Sequence, residues 1–77
     1  MPTVLRIGSY RFHFYSDERD EPPHIHVACS DGEVKFWLSP VMLASVIRLS
    51  GPQVRDIERL VFDNRELLLE AYHEFHR

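Results

Sequence analysis

Hydrophobic and polar residues alternate along the first half of the chain and settle into a helical rhythm along the second. Thr3–Ile7 and Tyr10–Tyr15 both alternate, with Gly8-Ser9 between them. A two-residue loop opening on glycine predicts a type II′ hairpin turn, since glycine takes positive φ without steric cost. That turn sets Ile7 against Tyr10 and Leu5 against Phe12. The apolar side chains then share one face, while Arg6, Arg11 and His13 share the other. A second hairpin is predicted from His24–Cys29 and Glu33–Leu38 around Asp31-Gly32, a strong type I′ pair. Pairing outward from that turn puts Cys29 opposite Val34, Val27 opposite Phe36 and Ile25 opposite Leu38, an apolar face. The other face carries His24, His26, Ala28, Glu33, Lys35 and Trp37, with His26 across from Trp37. The intervening Asp17–Pro23 reads as an exposed charged loop, stiffened by Pro22 and Pro23, which cannot donate to a ladder.

Beyond Pro40 the pattern is ambiguous. Val41, Val46 and Ile47 suit a fifth strand and Met42, Leu43 and Ala44 a helical turn, and the reading leans to a short strand over Val41–Leu49. From Ser50 the signals converge: Ser50 as N-cap, Pro52 in the first turn and Gln53 three residues on make a capping box. The apolar positions Val54, Ile57, Val61, Leu68, Ala71 and Phe75 follow at steps of three and four, with Asn64 in the one gap. Leu60, Leu67 and Tyr72 widen the stripe. A single helix of roughly 25 residues would be about 38 Å long, whereas a strand of typical length spans about 20 Å. Either the helix breaks near Asp63-Asn64 into two packed pieces, or its end projects toward another chain. The fold class is therefore α+β: an antiparallel β-meander of four to five strands (1–49), followed by a long amphipathic helix or two packed helices (50–77), in one domain.

Composition narrows the setting. With 77 residues, 44% hydrophobic and 27% charged, the chain has room for one core and no second domain. Met1 reads as a native start, and no apolar run approaches a signal peptide or membrane span. The lone cysteine, Cys29, has no partner for an internal disulfide, which points to a reducing compartment and hence the cytoplasm. Its place on the predicted core face favours inert burial over nucleophilic use. A net charge of −3 argues against nonspecific nucleic-acid binding, which depends on neutralising phosphates, but leaves room for a local basic patch.

The non-core face of the sheet is where chemistry concentrates. With the strands in sequence order, Arg6, Arg11, His13, Tyr15, His24, His26, Glu33, Lys35 and Trp37 point to one side. A wet sheet face would ordinarily carry Thr, Ser, Lys and Glu. His24 and His26, two apart on a strand, share a direction. A structural or interface role is the first reading for them. The second is RNA contact or acid–base catalysis on a phosphodiester, with Lys35, Arg11 or Arg6 stabilising charge and Trp37 and Tyr15 as stacking platforms. The third is a metal, with His13 as a further ligand and Glu33 as an outer partner. No cofactor is required by the pattern. Glu66, Glu70 and Glu74, and equally Arg55, Glu58 and Arg59, read as solvated helix surface. Asn64 in the apolar stripe reads as a register-fixing residue.

Several runs taken together resemble a known bacterial family. Met-Pro-Thr-Val-Leu-Arg-Ile-Gly at the start, Phe14-Tyr15-Ser16, Glu21-Pro22-Pro23-His24-Ile25-His26-Val27, Lys35-Phe36-Trp37-Leu38, and the ending with Ile57-Glu58 and Leu68–Phe75 resemble the domain-of-unknown-function family DUF4160. Two places depart from its pattern: Tyr72 stands where Trp is commoner, and Arg48-Leu49-Ser50 where Gly-Phe-Ser leads into the helix. Members are commonly encoded beside another small protein, in pairs regarded as toxin–antitoxin modules with this family as the toxin. The resemblance thus implies a toxin-like component of a type II module, neutralised by a small cognate protein, and the residues of the polar sheet face add action on RNA or translation as the expected target. The alternative is a non-enzymatic regulator or inhibitor docking on a larger complex. His24, His26, Lys35 and Trp37 are the matching positions and the first candidates. Val54, Ile57, Val61, Leu68, Tyr72 and Phe75 are candidate interface residues toward that partner or toward a second copy of the chain. No membrane partner is expected.

Overall fold

The computed structural model describes residues 3–16, 18 and 20–77. Expectations placed on Met1 and Pro2, and on Asp17 and Arg19 of the charged loop, lie outside the described residues. Five strands form one antiparallel sheet in chain order: β1 (Thr3–Ile7), β2 (Tyr10–His13), β3 (His24–Cys29), β4 (Gly32–Leu38) and β5 (Val41–Ile47). Two helices follow, α1 (Gly51–Asp63) and α2 (Arg65–Phe75). The first hairpin has the predicted register, Leu5 opposite Phe12 and Ile7 opposite Tyr10, with Gly8 at φ +58°. The ambiguous segment is a seven-residue strand on β4, with an irregularity between Lys35 and Phe36.

The second hairpin departs from expectation. Its turn closes one residue early, over Ser30-Asp31, with Ser30 at φ +56°, and Cys29 pairs with Gly32. Every partner shifts by two: Val27 faces Val34, Ile25 faces Phe36, His24 faces Trp37 and His26 faces Lys35. A shift of two keeps each side chain on its face, so the apolar and histidine-bearing sides stand as predicted. The cause lies at Gly32. A Cβ there would sit 2.4 Å from the Arg48 carbonyl oxygen and 2.8 Å from that of Ile47. Gly32 is needed for this close approach of β5, not for the turn, where a positive φ falls to Ser30.

Ser50 caps α1 as predicted: its hydroxyl accepts from the Gln53 N–H, and the Gln53 side chain accepts from the Ser50 N–H. The helical stretch breaks at Asn64, the first of the two expected alternatives. The Asn64 backbone N–H and side-chain Nδ2 both donate to the Leu60 carbonyl, at 3.1 and 2.8 Å, closing α1. Its own carbonyl accepts from the Leu68 N–H to begin α2. Asn64 therefore ends a helix and does not set a pairing register. The break also rotates the apolar stripe, so Leu69 packs inward and Leu67 is exposed.

The core joins Phe12, Phe14, Ile25, Val27, Val34, Phe36 and Leu38 of the sheet half to Ile57, Val61, Leu68 and Tyr72 of the helices. Burying each such large apolar side chain contributes about 1.5–3 kcal/mol. This corrects the interface expectation for the helices. Ile57, Val61 and Leu68 are fully buried and Tyr72 nearly so, while Val54 and Phe75 pack against the same core. The stripe is consumed inside the chain. No helix among the described residues is long and apolar enough to cross a membrane.

Candidate functional site at the histidine face

The sheet face opposite the core was expected to be open, yet its histidines are buried: His24 is 0% exposed, His13 5% and His26 6%. The covering element is the loop between β2 and β3. That loop was read as solvated, but Glu18 and Glu21 fold back over the strand ends. Pro22 and Pro23 suit this path, because they fix φ and bring no N–H to satisfy, and the Pro23 carbonyl already accepts from the Leu38 N–H of β4 at 3.0 Å. The loop is fastened from the other side by the Tyr72 hydroxyl, which donates to the Glu21 carbonyl at 3.0 Å. Burial raises the Tyr72 pKa, helped by the charges of Glu21 and Glu18, so this donor keeps its proton.

Glu18 is the hub. Its Oε1 lies 2.7 Å from His24 Nε2 and 2.7 Å from His26 Nε2. Partial burial pushes its pKa up, but the His26 and His24 rings beside it outweigh that and the net shift is downward, so Glu18 is a carboxylate at neutral pH. On the far side of each ring stands a further acceptor. His24 Nδ1 lies 2.9 Å from the Pro22 carbonyl, which can only accept, so this nitrogen donates. His26 Nδ1 lies 3.2 Å from Glu33 Oε2. Tyr15 donates to the same Glu33 carboxylate, at 2.9 Å to Oε2, and burial together with that bond pushes its phenol up to about 12. Tyr15 is thus a permanent donor anchoring Glu33, with its ring edge-on to His26 at 4.3 Å.

The remaining candidates divide. His13 stacks on His26, with ring centroids 5.7 Å apart, but its Nε2 is buried without a hydrogen-bond partner and 3.9 Å from Glu33. Burial lowers its pKa, so it sits as a neutral neighbour of the Glu18 cluster. Lys35 pairs with Glu21 and holds its ammonium 4.6 Å from the centre of the half-exposed Trp37 ring. Arg6 and Arg11 face each other across β1 and β2 and are exposed. They flank the cluster without entering it. Glu18 and Glu21 are the residues that sequence reasoning missed. Their only signal was position, six and three residues ahead of His24 in a loop forced by two prolines to turn back. Among the described residues, Glu18, His24 and His26 are the set whose ligating atoms lie close enough together, within 4.8 Å, to share a metal ion.

A five-stranded meander backed by a broken helix, with a carboxylate–histidine cluster under its second loop, defines a small α+β protein of one layer of sheet and one of helix. The model of the domain of unknown function DUF4160 matches residues 9–73, nearly the whole chain, and the protein belongs to that family. No curated protein and no solved structure matches it.

Proposed function

We propose that this protein is the toxin-like member of a two-protein module, active alone and neutralised by a small cognate protein that adds a strand to the open edge of β5. The observation that carries the partner is β5 itself. Its sequence, Val41–Ile47, holds no charge and no proline. It is the last strand of the sheet. Met42 and Ile47 are 54% and 59% exposed, Leu43 and Val46 are also exposed, and Phe62 of α1 adds to the same apolar surface. Edge strands in soluble proteins are usually short, charged or covered, and this one is none of these. An extended partner segment would gain main-chain hydrogen bonds from the edge and alternate apolar contacts from its side chains. Arg48 at the strand end and Arg55 and Arg59 beside Val41 and Phe62 favour acidic residues flanking that segment.

Action on RNA or translation is the role that the polar residues of the sheet face suggest for it. Trp37, Lys35 and the exposed Arg6 and Arg11 are the groups accessible for it, because His24 and His26 lie beneath the loop. The test is growth after induced expression, with and without the protein encoded beside it. Arrest relieved by the neighbour, with relief lost in Leu43→Lys, supports the reading. No arrest at any expression level overturns the toxin role and leaves a non-enzymatic regulator that uses the same edge.

A further inference from the structure

We infer that Glu18, His24 and His26 form a binding site for one divalent first-row transition-metal ion, of which zinc is the test case. The argument is an accounting of protons and lone pairs. His24 Nδ1 must carry its proton, because it faces the Pro22 carbonyl at 2.9 Å. In a neutral imidazole that leaves a lone pair on Nε2. The Glu33 carboxylate, 3.2 Å from His26 Nδ1, favours a proton on that nitrogen and so the same orientation of the second ring. Both Nε2 atoms then point lone pairs at one atom, Glu18 Oε1, itself an acceptor, at 2.7 Å each. Three electron-pair donors then converge, an arrangement that one cation among them satisfies.

Two added protons would serve only by making two imidazoliums with ring centroids 5.2 Å apart, one of them wholly removed from water. Desolvation and mutual repulsion both oppose that arrangement. A single divalent ion meets the same need with ligand bonds. The three donor atoms lie within 4.8 Å of one another, a span that small side-chain adjustments bring to metal–ligand distances of about 2.0–2.2 Å. Two imidazoles and a carboxylate suit zinc and its first-row neighbours better than calcium or magnesium, which prefer all-oxygen cages.

The outer shell is also in place. Metal-bound histidine ordinarily donates its other N–H to a backbone carbonyl or carboxylate, which fixes the tautomer. Pro22 and Glu33 stand at those two positions, and Glu33 is itself anchored by Tyr15. Glu18 comes from the loop and its side chain is 22% exposed. The side of the site that it closes is therefore the side from which an ion and a further ligand such as water can enter.

The site is independent of any partner, and its test uses the purified full chain alone. After chelator treatment, zinc is titrated calorimetrically, and cobalt is substituted to read its ligand-field spectrum. One equivalent per chain is expected, with a cobalt spectrum of mixed nitrogen and oxygen ligation. Glu33→Gln should weaken binding roughly 10–100-fold, the usual effect of losing an outer partner. Glu18→Ala alters a part-exposed loop residue, keeps the sheet, and should weaken binding more than Glu33→Gln does. His73→Ala, on the exposed end of α2, should bind as the parent does. Absence of a stoichiometric heat overturns the inference and leaves a purely protonic cluster. Binding that survives in a folded Glu18→Ala variant, or is lost in His73→Ala, overturns it as well.

Discussion

Strands β3 and β5 both flank β4, and their burial is the reverse of their composition. His-Ile-His-Val-Ala-Cys is almost entirely buried, histidines included, whereas Val-Met-Leu-Ala-Ser-Val-Ile is exposed along nearly its whole length. Hydrophobicity alone would order them the other way. In β3, the polar groups go under cover because a loop brings Glu18 and the Pro22 carbonyl against the ring nitrogens that face it. In β5, apolar side chains stay in water because α1 covers only part of the strand and, among the described residues, no strand pairs with its outer edge. Each inversion costs stability in an isolated chain, and each marks a surface or cluster with work beyond holding the fold.

The largest expected effect comes from emptying the β3 side. His26→Ala strands Glu18 and Glu33 beside a void and should cost about 3 kcal/mol in urea unfolding, as loss of one partner from a buried charged network does. At 6% exposure His26 has no room to lose its ring without a cost to the fold. Next, Gly32→Ala drives a methyl into the Arg48 and Ile47 carbonyls. It should cost about 2 kcal/mol and loosen the end of β5 first, visible as faster amide exchange at Val46 and Ile47.

Acid should separate the two strands further. The His13 pKa is lowered by burial, so the unfolded chain takes up a proton that the folded one refuses. Its contribution is present above the ordinary value of 6.5 and lost as pH falls below it. The Glu18 pKa is also lowered on balance, so its contribution is lost further down, as pH falls from the ordinary 4.5 through the depressed value. Both signs make acid destabilising, and His13→Phe should flatten the first part of the urea-midpoint profile while leaving the second. The smallest effect belongs to β5: Ile47→Lys should change stability by no more than about 0.5 kcal/mol yet prevent co-purification with the cognate protein. A large stability loss there would mean that Ile47 is covered within the chain itself, and the contrast with β3 would fail.

Much of this architecture was legible in the residues. Gly8-Ser9 and the flanking alternation fixed the first hairpin to the residue, and Ser50 with Gln53 fixed the start of α1. The histidines were assigned to the correct face despite a wrong register, because the error was an even number of residues. That error arose because Asp31-Gly32 satisfies a local turn rule, while the position of Gly32 is decided by carbonyls from β5 that lie far along the chain. Burial of the histidines was illegible for a related reason. Period-two alternation reports which side of a strand a residue faces, but not whether a loop later folds over that side. Nor does helical periodicity tell whether a stripe meets the chain's own sheet or a foreign surface, and here Ile57, Val61 and Leu68 meet their own.

The bond from the Tyr72 hydroxyl to the Glu21 carbonyl reaches across 51 residues of sequence. It makes the last turns of α2 a latch on the loop between β2 and β3. A nonsense or frameshift lesion shortly ahead of Tyr72 would leave His13, His24, His26 and all five strands in the reading frame, and still unfasten the loop that brings Glu18 to them. Lesions in the β2–β3 loop and in the last turns of α2 would then fall into one phenotypic class.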